Sequence, residues 1–169
     1  MKILKYTLVA LTAVVLISCG SKEEKKEKEG FKYENKKTTE VKEETSPNNV
    51  MLTGNDQMQF NTKEIKVKAG EKVTVTLKHI GKLDKNVMGH NFVLLTQGTD
   101  LVDFATKAAT SKDNDYIPEG TTDIIAHTKI IGGGETDVIE FDAPTPGTYE
   151  FLCSFPGHYA MMKGVFIVE

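Results

Sequence analysis

The ten residues CSFPGHYAMM, which run from Cys153 to Met162, place three metal-binding side chains in one short segment. His158 follows Cys153 by five residues and Met162 follows His158 by four, and the Phe-Pro-Gly between cysteine and histidine favours a turn. A thiolate, an imidazole and a thioether therefore converge from one loop. Soft sulfur with imidazole suits copper, and two histidines, a cysteine and a weak axial methionine are the ligands of blue-copper electron-transfer sites.

The loop supplies one histidine, so a second must come from elsewhere in the chain. His79 shares the alternating apolar face of its strand, which is typical of a satisfied, partly buried histidine. His127 follows the apolar run IIA, which indicates a solvent-exposed strand end. His90 stands in NVMGHNF, where a glycine lets the backbone approach a site closely, so His90 is favoured. Spacing alone also leaves Met161 as a competitor of Met162 for the thioether role.

The segments that must position these residues are typical of short strands. Apolar and polar residues alternate in EIKVKAGEKVTVTLKH, residues 64–79, which predicts two strands of a half-buried sheet joined by an Ala-Gly turn. The segment 100–110, DLVDFATKAAT, is predicted to be a helix because its apolar residues recur at helical spacing. Turn-forming residues separate the other predicted strands, which are 57–60, 91–95, 123–126, 136–142, 148–153 and 164–168. Seven or eight short strands with one helical insertion predict an all-β sandwich with Greek-key connections.

Four motifs in a fixed order resemble those of a known family. GNDQMQF (54–60), KNVMGHNF (85–92), IAHTK (125–129) and CSFPGH (153–158) are similar to segments of the azurins, which are blue-copper proteins. The resemblance covers residues 50–169 and implies a cupredoxin-like Greek-key β-sandwich with one copper ion that cycles between Cu(I) and Cu(II). It further implies a monomeric electron carrier rather than an enzyme, with redox partners such as c-type cytochromes or reductases.

The resemblance also implies roles for individual residues. His90, Cys153 and His158 would bind copper in a trigonal plane, with Met162 as a long axial contact and the Gly89 carbonyl oxygen opposite it. Two backbone N–H groups would hydrogen-bond the thiolate and tune its potential, those of Asn91 and Phe155. A partner would dock on an apolar surface around the exposed edge of one ligand ring, formed by Met58, Met88, Phe155 and His158.

The chain departs from the family pattern at two structural features. The family's disulfide is absent, because neither Cys19 nor Cys153 occupies its positions, so the N-terminal strand must be held in another way. Tryptophan is absent altogether, and Phe92 stands where the family often buries one. Neither departure affects an implied ligand.

The N-terminus resembles a bacterial lipoprotein signal. Residues 6–18 form an uncharged, mostly apolar run after two lysines. As a helix this run would be about 20 Å long, too short to cross about 30 Å of hydrocarbon. Because Leu-Ile-Ser precedes Cys19, we expect residues 1–18 to be a signal peptide and Cys19 to be the lipidated first residue of the mature protein.

The segment that follows is predicted to be a disordered, charged tether covering residues 19–49. Its eight lysines and eight glutamates leave only three large apolar residues, too few to offset the entropy of ordering. Gly20, in place of an aspartate that would retain a lipoprotein at the inner membrane, favours the outer membrane facing the periplasm. The run SKEEKKEKE leaves export to the cell surface as the alternative.

The composition also bears on other classes of function. From residue 50 onward there are eleven lysines, no arginine and sixteen acidic residues, so the basic stripe of a nucleic-acid-binding surface is absent. An enzyme such as a copper reductase would need a second metal site or a substrate pocket, and His79 and His127 are not at metal-ligand spacing. A copper carrier or storage protein without redox duty is the stronger alternative, although such proteins favour exchangeable ligands.

Overall fold

The structure is a computed structural model of the chain, and it describes residues 46–169. The predicted signal peptide (1–18), Cys19 and the predicted tether as far as residue 45 lie outside the described residues. Among residues 46–169, no helix combines the length and apolar character needed to cross a bilayer.

Two β-sheets pack face to face in the described part of the chain. Their nine strands are β1 (Asn49–Asn55), β2 (Gln59–Phe60), β3 (Glu64–Val67), β4 (Lys72–His79), β5 (Val93–Leu95), β6 (Ile124–His127), β7 (Thr136–Asp142), β8 (Gly147–Leu152) and β9 (Lys163–Val168). One sheet has the strand order β2-β1-β4-β7 and the other has the order β3-β9-β8-β5-β6. Because the chain passes repeatedly from one sheet to the other, as Greek-key connections do, the predicted all-β sandwich is confirmed.

The main core lies between the inner faces of the two sheets. β4 buries every second residue from Val73 to His79, as its alternating sequence predicts. On the opposing side, the rings of Phe92 and Phe151 pack with their centroids 5.5 Å apart. Phe92 is fully buried, so a phenylalanine fills the place where the family often has tryptophan. Burying such a side chain contributes roughly 1.5–3 kcal/mol to stability.

β3 and β4 belong to different sheets, which corrects the prediction that residues 64–79 supply two strands of one sheet. β3 pairs in parallel with β9, whereas β4 pairs with β1 and β7. Both strands show the predicted alternation because each buries one face against the same core. The turn between them, where Gly70 has φ of 74°, carries the chain across the core rather than into a hairpin.

The residue before β1 fastens this strand, which the sequence patterns did not predict. Asn48 is 2% exposed, and its Nδ2 donates to the Lys68 carbonyl at 3.0 Å while the Lys68 N–H donates to its Oδ1 at 2.7 Å. The Thr74 N–H donates to the Asn48 carbonyl at 2.8 Å. Asn48 therefore ties the start of β1 to the β3–β4 turn, which holds the N-terminal strand without the family's disulfide. The packed segment thus begins before residue 50.

The predicted helix is present as α2 (Leu101–Ala108). Asp100 caps it by accepting the Val102 and Asp103 N–H groups, both at 2.9 Å. Its apolar face packs with Val93, Leu95 and Leu152 on the outer side of the second sheet. β5 is therefore buried on both faces, between α2 and the main core.

Three shorter helical segments were not predicted, because one turn is too short to show helical periodicity. They are α1 (Lys85–Met88) and the 3₁₀ turns Lys112–Asn114 and His158–Ala160. Asp84 caps α1 by accepting the Asn86 N–H at 2.8 Å. α1 leads directly into Gly89 and His90, so it positions a predicted ligand.

Candidate metal centre

The loop after β8 is held in shape by its own backbone. Cys153 follows the last residue of β8, and its N–H donates to the Met162 carbonyl at 2.9 Å. The His158 carbonyl accepts the Met162 N–H at 2.8 Å, which closes the turn. Gly157 has φ of 83°, a conformation that L side chains rarely adopt, immediately before His158. The loop therefore fixes Cys153 and His158 relative to each other.

His90 reaches the same place from a separate part of the chain. Its N–H donates to the Ile131 carbonyl and its carbonyl accepts the Ile131 N–H, both at 2.9 Å. A Cβ atom added at Gly54 would lie 2.6 Å from the His90 ring, so only glycine fits against that ring. The approach of β1 to His90 thus depends on Gly54.

The side chains of His90, Cys153 and His158 converge with a separation that suits one metal ion. Cys153 Sγ lies 4.0 Å from His90 Nδ1 and 3.6 Å from His158 Nδ1. All three potential ligand atoms lie within 4.8 Å of one another. A trigonal ion with sulfur at about 2.3 Å and nitrogen at about 2.0 Å would separate them by about 3.7 Å. The distances fit such an ion without rearrangement of the backbone.

Hydrogen bonds fix which ring nitrogen of His90 faces the centre. His90 Nε2 lies 2.9 Å from the Asn55 carbonyl oxygen, and because a carbonyl only accepts, Nε2 carries the proton. Nδ1 is left with a free lone pair directed at the sulfur. His158 also directs Nδ1 at the sulfur, and its Nε2 makes no hydrogen bond within residues 46–169. Since no buried side-chain nitrogen or oxygen of those residues lacks a partner, His158 Nε2 reaches the surface.

The electrostatics of the site favour neutral imidazoles and a protonated thiol until a metal binds. Burial raises the pKa of the Cys153 thiol to about 12, although hydrogen bonds from the Asn91 and Phe155 backbone N–H groups oppose that rise. Burial lowers the pKa of His158 to about 4, and electrostatic repulsion from the neighbouring His90 and His79 rings adds to this effect. Burial also lowers the pKa of His90. A metal ion must therefore displace one proton, from sulfur, while both imidazoles are already in the ligating form.

The Gly89 carbonyl and Met162 lie close enough to the Cys153 sulfur to be considered as additional ligands. The Gly89 carbonyl oxygen is 3.9 Å from Cys153 Sγ. Met162 is fully buried in one cluster with Tyr116, Cys153 and Phe155. Met161 is 54% exposed and is not part of that cluster, so burial separates the two methionines that spacing could not.

A second buried asparagine holds the cysteine loop against the His90 segment. Asn91 Oδ1 accepts the Ser154 N–H at 2.8 Å, and Asn91 Nδ2 donates to Ser154 Oγ at 2.8 Å and to the Asp115 carbonyl at 3.0 Å. The sequence predicted a role only for the Asn91 backbone N–H. No sequence pattern indicated that Ser154 would bind the Asn91 side chain.

His79 supports the centre without joining it. Its ring stacks on His90 with centroids 4.3 Å apart and an interplanar angle of 16°. Nε2 donates to the Met88 carbonyl at 2.9 Å, and Nδ1 accepts the Gly81 N–H at 3.0 Å, so a neutral ring is fully satisfied. The prediction of a satisfied histidine agrees with these contacts, but the ring is fully rather than partly buried. His127 is exposed at the end of β6, as predicted.

The four residues of the predicted docking surface differ in exposure. Met58 is 36% exposed and Met88 is half-buried. Phe155 and His158 are 9% and 3% exposed, and their rings pack with centroids 4.6 Å apart. Only a narrow edge of His158 therefore meets solvent. Two exposed neighbours were not anticipated, Val87 and Met161.

A Greek-key sandwich that gathers one thiol and two imidazole nitrogens at one end defines a copper-binding domain of the cupredoxin class. Residues 46–169 match the family of copper binding proteins described as the plastocyanin/azurin family. The azurin of Pseudomonas fluorescens biotype C is 54% identical over 120 residues, which cover 68% of this chain and 93% of that protein. The azurin of Bordetella pertussis is 48% identical over 120 residues, covering 68% and 79%.

Solved structures agree with this class. Reduced auracyanin from Roseiflexus castenholzii is 35% identical with a TM-score of 0.67, and the match covers 73% of this chain and 98% of that one. An azurin from Methylomonas sp. strain J is 36% identical with a TM-score of 0.66, covering 72% and 97%. The chain belongs to the plastocyanin/azurin family of copper-binding proteins. It is a one-electron carrier with a single type 1 copper site.

Proposed function

We propose that His90 Nδ1, Cys153 Sγ and His158 Nδ1 would hold copper, with the Met162 thioether and the Gly89 carbonyl oxygen as weaker additional ligands. The observation that carries this ligand set is the close match between the sulfur–nitrogen distances of 3.6 and 4.0 Å and a trigonal ion. The buried position of Met162 in one cluster with Cys153 supports its role as an additional ligand. Copper bound there would supply one-electron chemistry by cycling between Cu(I) and Cu(II).

The residues around the ligands would keep the site rigid during that cycle. Asn55 and His79 orient His90, and Asn91 holds the loop that carries Cys153. Ligands held in this way would need little rearrangement when bound copper gains or loses an electron. The N–H groups of Asn91 and Phe155 would draw electron density from the thiolate and so raise the potential.

Electrons would leave through the edge of His158, where Nε2 reaches the surface. The Phe155 ring packs on the His158 ring, and with Met58, Met88 and the exposed Met161 it would form an apolar surface that excludes water when a redox protein docks. We expect c-type cytochromes or reductases as partners of a monomeric carrier. Transfer through this edge requires no substrate pocket, so the protein acts as a carrier rather than an enzyme.

Burial of the ligands argues against a copper carrier or storage protein. His90 and Cys153 are fully covered, and His158 is 3% exposed, so ion exchange requires the loop to open. The test compares two rates for the copper-loaded full chain, electron exchange with a soluble cytochrome c and copper transfer to a chelating acceptor. Electron exchange that is faster by orders of magnitude is expected. Copper transfer on the time scale of electron exchange would contradict the proposal.

We further propose that lipid on Cys19 anchors the protein in the outer membrane facing the periplasm, with residues 20–45 as a spacer. The support is the LIS-Cys signal, which precedes the charged segment. Labelled palmitate should enter the wild-type chain but not Cys19→Ser in the native bacterium. Digestion of intact cells with a protease should leave the protein whole. Its cleavage would place it on the cell surface instead.

A further inference from the structure

A turn with an unusual backbone conformation lies against the loop that carries the metal-binding cysteine. Within residues 46–169, three residues other than glycine have positive φ, and two of them are consecutive, Asp115 with φ of 51° and Tyr116 with φ of 58°. Asp115 is in the left-handed region, which aspartate tolerates better than most residues, whereas a bulky tyrosine rarely has positive φ. Such a backbone costs free energy and persists only where surrounding contacts hold it.

Contacts on several sides keep the turn in this conformation. The Tyr116 N–H donates to the Ser111 carbonyl at 2.9 Å. Asp115 Oδ1 accepts the Ile130 N–H at 3.1 Å, which ties the turn to the segment between β6 and β7. The Tyr116 ring is buried and packs edge-on against the Phe155 ring, with centroids 5.1 Å apart. The turn is therefore fastened to two other segments, and one of them is the loop after β8.

The turn presents two adjacent carbonyls to the side chains that join the two ligand-bearing segments. The Asp115 carbonyl accepts a hydrogen bond from Asn91 Nδ2 at 3.0 Å, and the Tyr116 carbonyl accepts one from the Ser154 hydroxyl at 2.8 Å. An extended residue points the carbonyls on its two sides in opposite directions, so Tyr116 must depart from an extended conformation for both to meet neighbouring donors. Asn91 and Ser154 are at most 1% exposed, so both bonds lie away from solvent.

These contacts fix the two residues that follow Cys153. Ser154 is held by the Tyr116 carbonyl, and Phe155 is held by the Tyr116 ring. The Phe155 N–H hydrogen-bonds the Cys153 sulfur, and Tyr116 shares one buried cluster with both residues. A movement of the turn would therefore change the distance between this N–H and the sulfur.

We propose that Asp115 and Tyr116 are positioning residues that set the hydrogen bond from the Phe155 N–H to the Cys153 thiolate, and through it the potential of the bound ion. This proposal rests on the proposed function, because the thiolate affects a potential only if Cys153 ligates copper. The N–H draws electron density from the sulfur, and a sulfur that is poorer in electrons favours Cu(I). A turn that leaves its left-handed conformation would weaken this hydrogen bond and favour Cu(II).

Three variants that each remove one negative charge separate conformation from charge. Asp115→Val introduces a β-branched residue that disfavours positive φ, and it removes the acceptor of the Ile130 N–H. Asp115→Asn keeps both the tolerance for positive φ and an acceptor oxygen. Asp113→Asn is the matched control, because it removes the charge of an exposed residue just before the turn.

The first measurement is the redox equilibrium of the copper-loaded full chain with a buffer of fixed potential. One electron passes between the buffer and the ion, and the thiolate-to-copper band, as a fraction of its intensity in the fully oxidised variant, gives the ratio of Cu(II) to Cu(I). Asp115→Val should raise this ratio about fivefold over Asp113→Asn, the factor that corresponds to one hydrogen bond of ordinary net strength. Asp115→Asn should agree with Asp113→Asn within about twofold.

The second measurement needs no metal. In the metal-free full chain, amide hydrogen exchange followed by NMR should be faster at Phe155 in Asp115→Val than in Asp115→Asn. Ser154→Ala, which removes the hydroxyl donor to the Tyr116 carbonyl, should also speed exchange at Phe155. Exchange at Val75, in the centre of β4, should change less than at Phe155 in both variants. Equal acceleration at Val75 and Phe155 would show general destabilisation and would contradict a positioning role.

The outcomes separate this proposal from the proposed function. If the wild type forms no thiolate-to-copper band when Cu(II) is added, the proposed function fails. If the band forms but Asp115→Val and Asp113→Asn give the same ratio of Cu(II) to Cu(I), the copper site stands and the turn does not position the thiolate. If Asp115→Val does not fold, Ser154→Ala decides, since a ratio equal to that of the wild type would overturn the proposal.

Discussion

Two buried asparagines hold opposite ends of the sandwich with nearly the same hydrogen bonds. Asn48 accepts a backbone N–H at 2.7 Å and donates to a carbonyl at 3.0 Å, and Asn91 does so at 2.8 and 3.0 Å. Asn48 joins the start of β1 to the β3–β4 turn. Asn91 joins two segments that each carry a metal ligand, and its own backbone N–H reaches the sulfur.

The comparison teaches that the role of a buried amide is set by what its partners carry. At Asn48 the partner is Lys68, whose side chain is exposed and takes no part in the site. At Asn91 the partner is Ser154, the neighbour of Cys153, so any displacement there moves a ligand. Removing the Asn48 amide should therefore lower only the stability of the fold. Removing the Asn91 amide should change both the stability and the electronic properties of the site.

The largest change at the metal end is the loss of its sulfur. Cys153→Ser removes the thiolate, so the intense thiolate-to-copper visible absorption should vanish from copper-loaded protein. Cys19→Ser is the matched control, because it removes the other cysteine and should retain the full band. A band that survives in Cys153→Ser would show that this residue is not the ligand.

Removing the Asn91 amide should damage both properties of that end. Asn91→Ala leaves the buried Ser154 N–H and the Asp115 carbonyl without their partner, at a cost of about 1–3 kcal/mol for each. We expect urea unfolding of the metal-free protein to show that the free energy of unfolding falls by on the order of 3 kcal/mol. We also expect the visible band of the copper-loaded variant to shift. An unmoved band would mean that the amide does not position the ligands.

Acid should loosen the metal end selectively in the metal-free protein. The pKa of His158 is about 4 in the folded state against an ordinary value of 6.5, so the unfolded chain binds the extra proton first. The contribution of the neutral His158 ring to the free energy of unfolding is therefore fully present above about pH 6.5. It declines by on the order of 3 kcal/mol as the pH falls toward 4. Unfolding at several pH values should show this decline, and His158→Gln should remove much of it. An equal decline in that variant would contradict the assignment.

The smallest expected change comes from the opposite end. Asn48→Ala should lower the free energy of unfolding by about 1–2 kcal/mol and leave the visible spectrum of copper-loaded protein unchanged. Asn49→Ala, at the exposed next position, should cost less than about 0.5 kcal/mol. If Asn48→Ala and Asn49→Ala lowered the free energy of unfolding equally, the Asn48 amide would not hold β1. A spectral change in Asn48→Ala would contradict the distinction between Asn48 and Asn91.

The sequence predicted the features that depend on local pattern. The alternation in β4 and the spaced apolar residues of α2 are periodic over eight residues each, and both elements are present. The cysteine loop was also identified, because its ligands lie within ten residues. The glycine before His90 favoured this histidine as the second one, and the resemblance to azurins then implied that it joins a loop more than sixty residues away.

The features that escaped prediction depend on tertiary contacts. No period marks Asn48 or Ser154, whose partners lie 20 and 63 residues away. The stacking of His79 on His90 requires two sheets to meet, and strand alternation shows only that His79 points inward. β3 and β4 appeared to share a sheet because alternation reports which face is buried but not which strand lies alongside.

The most direct test is a titration of Cu(II) into the metal-free full chain, followed by visible absorption. We expect an intense thiolate-to-copper band that saturates at one equivalent and disappears when the protein is reduced. A complex that stays colourless at saturation would contradict a trigonal site built from Cys153, His90 and His158.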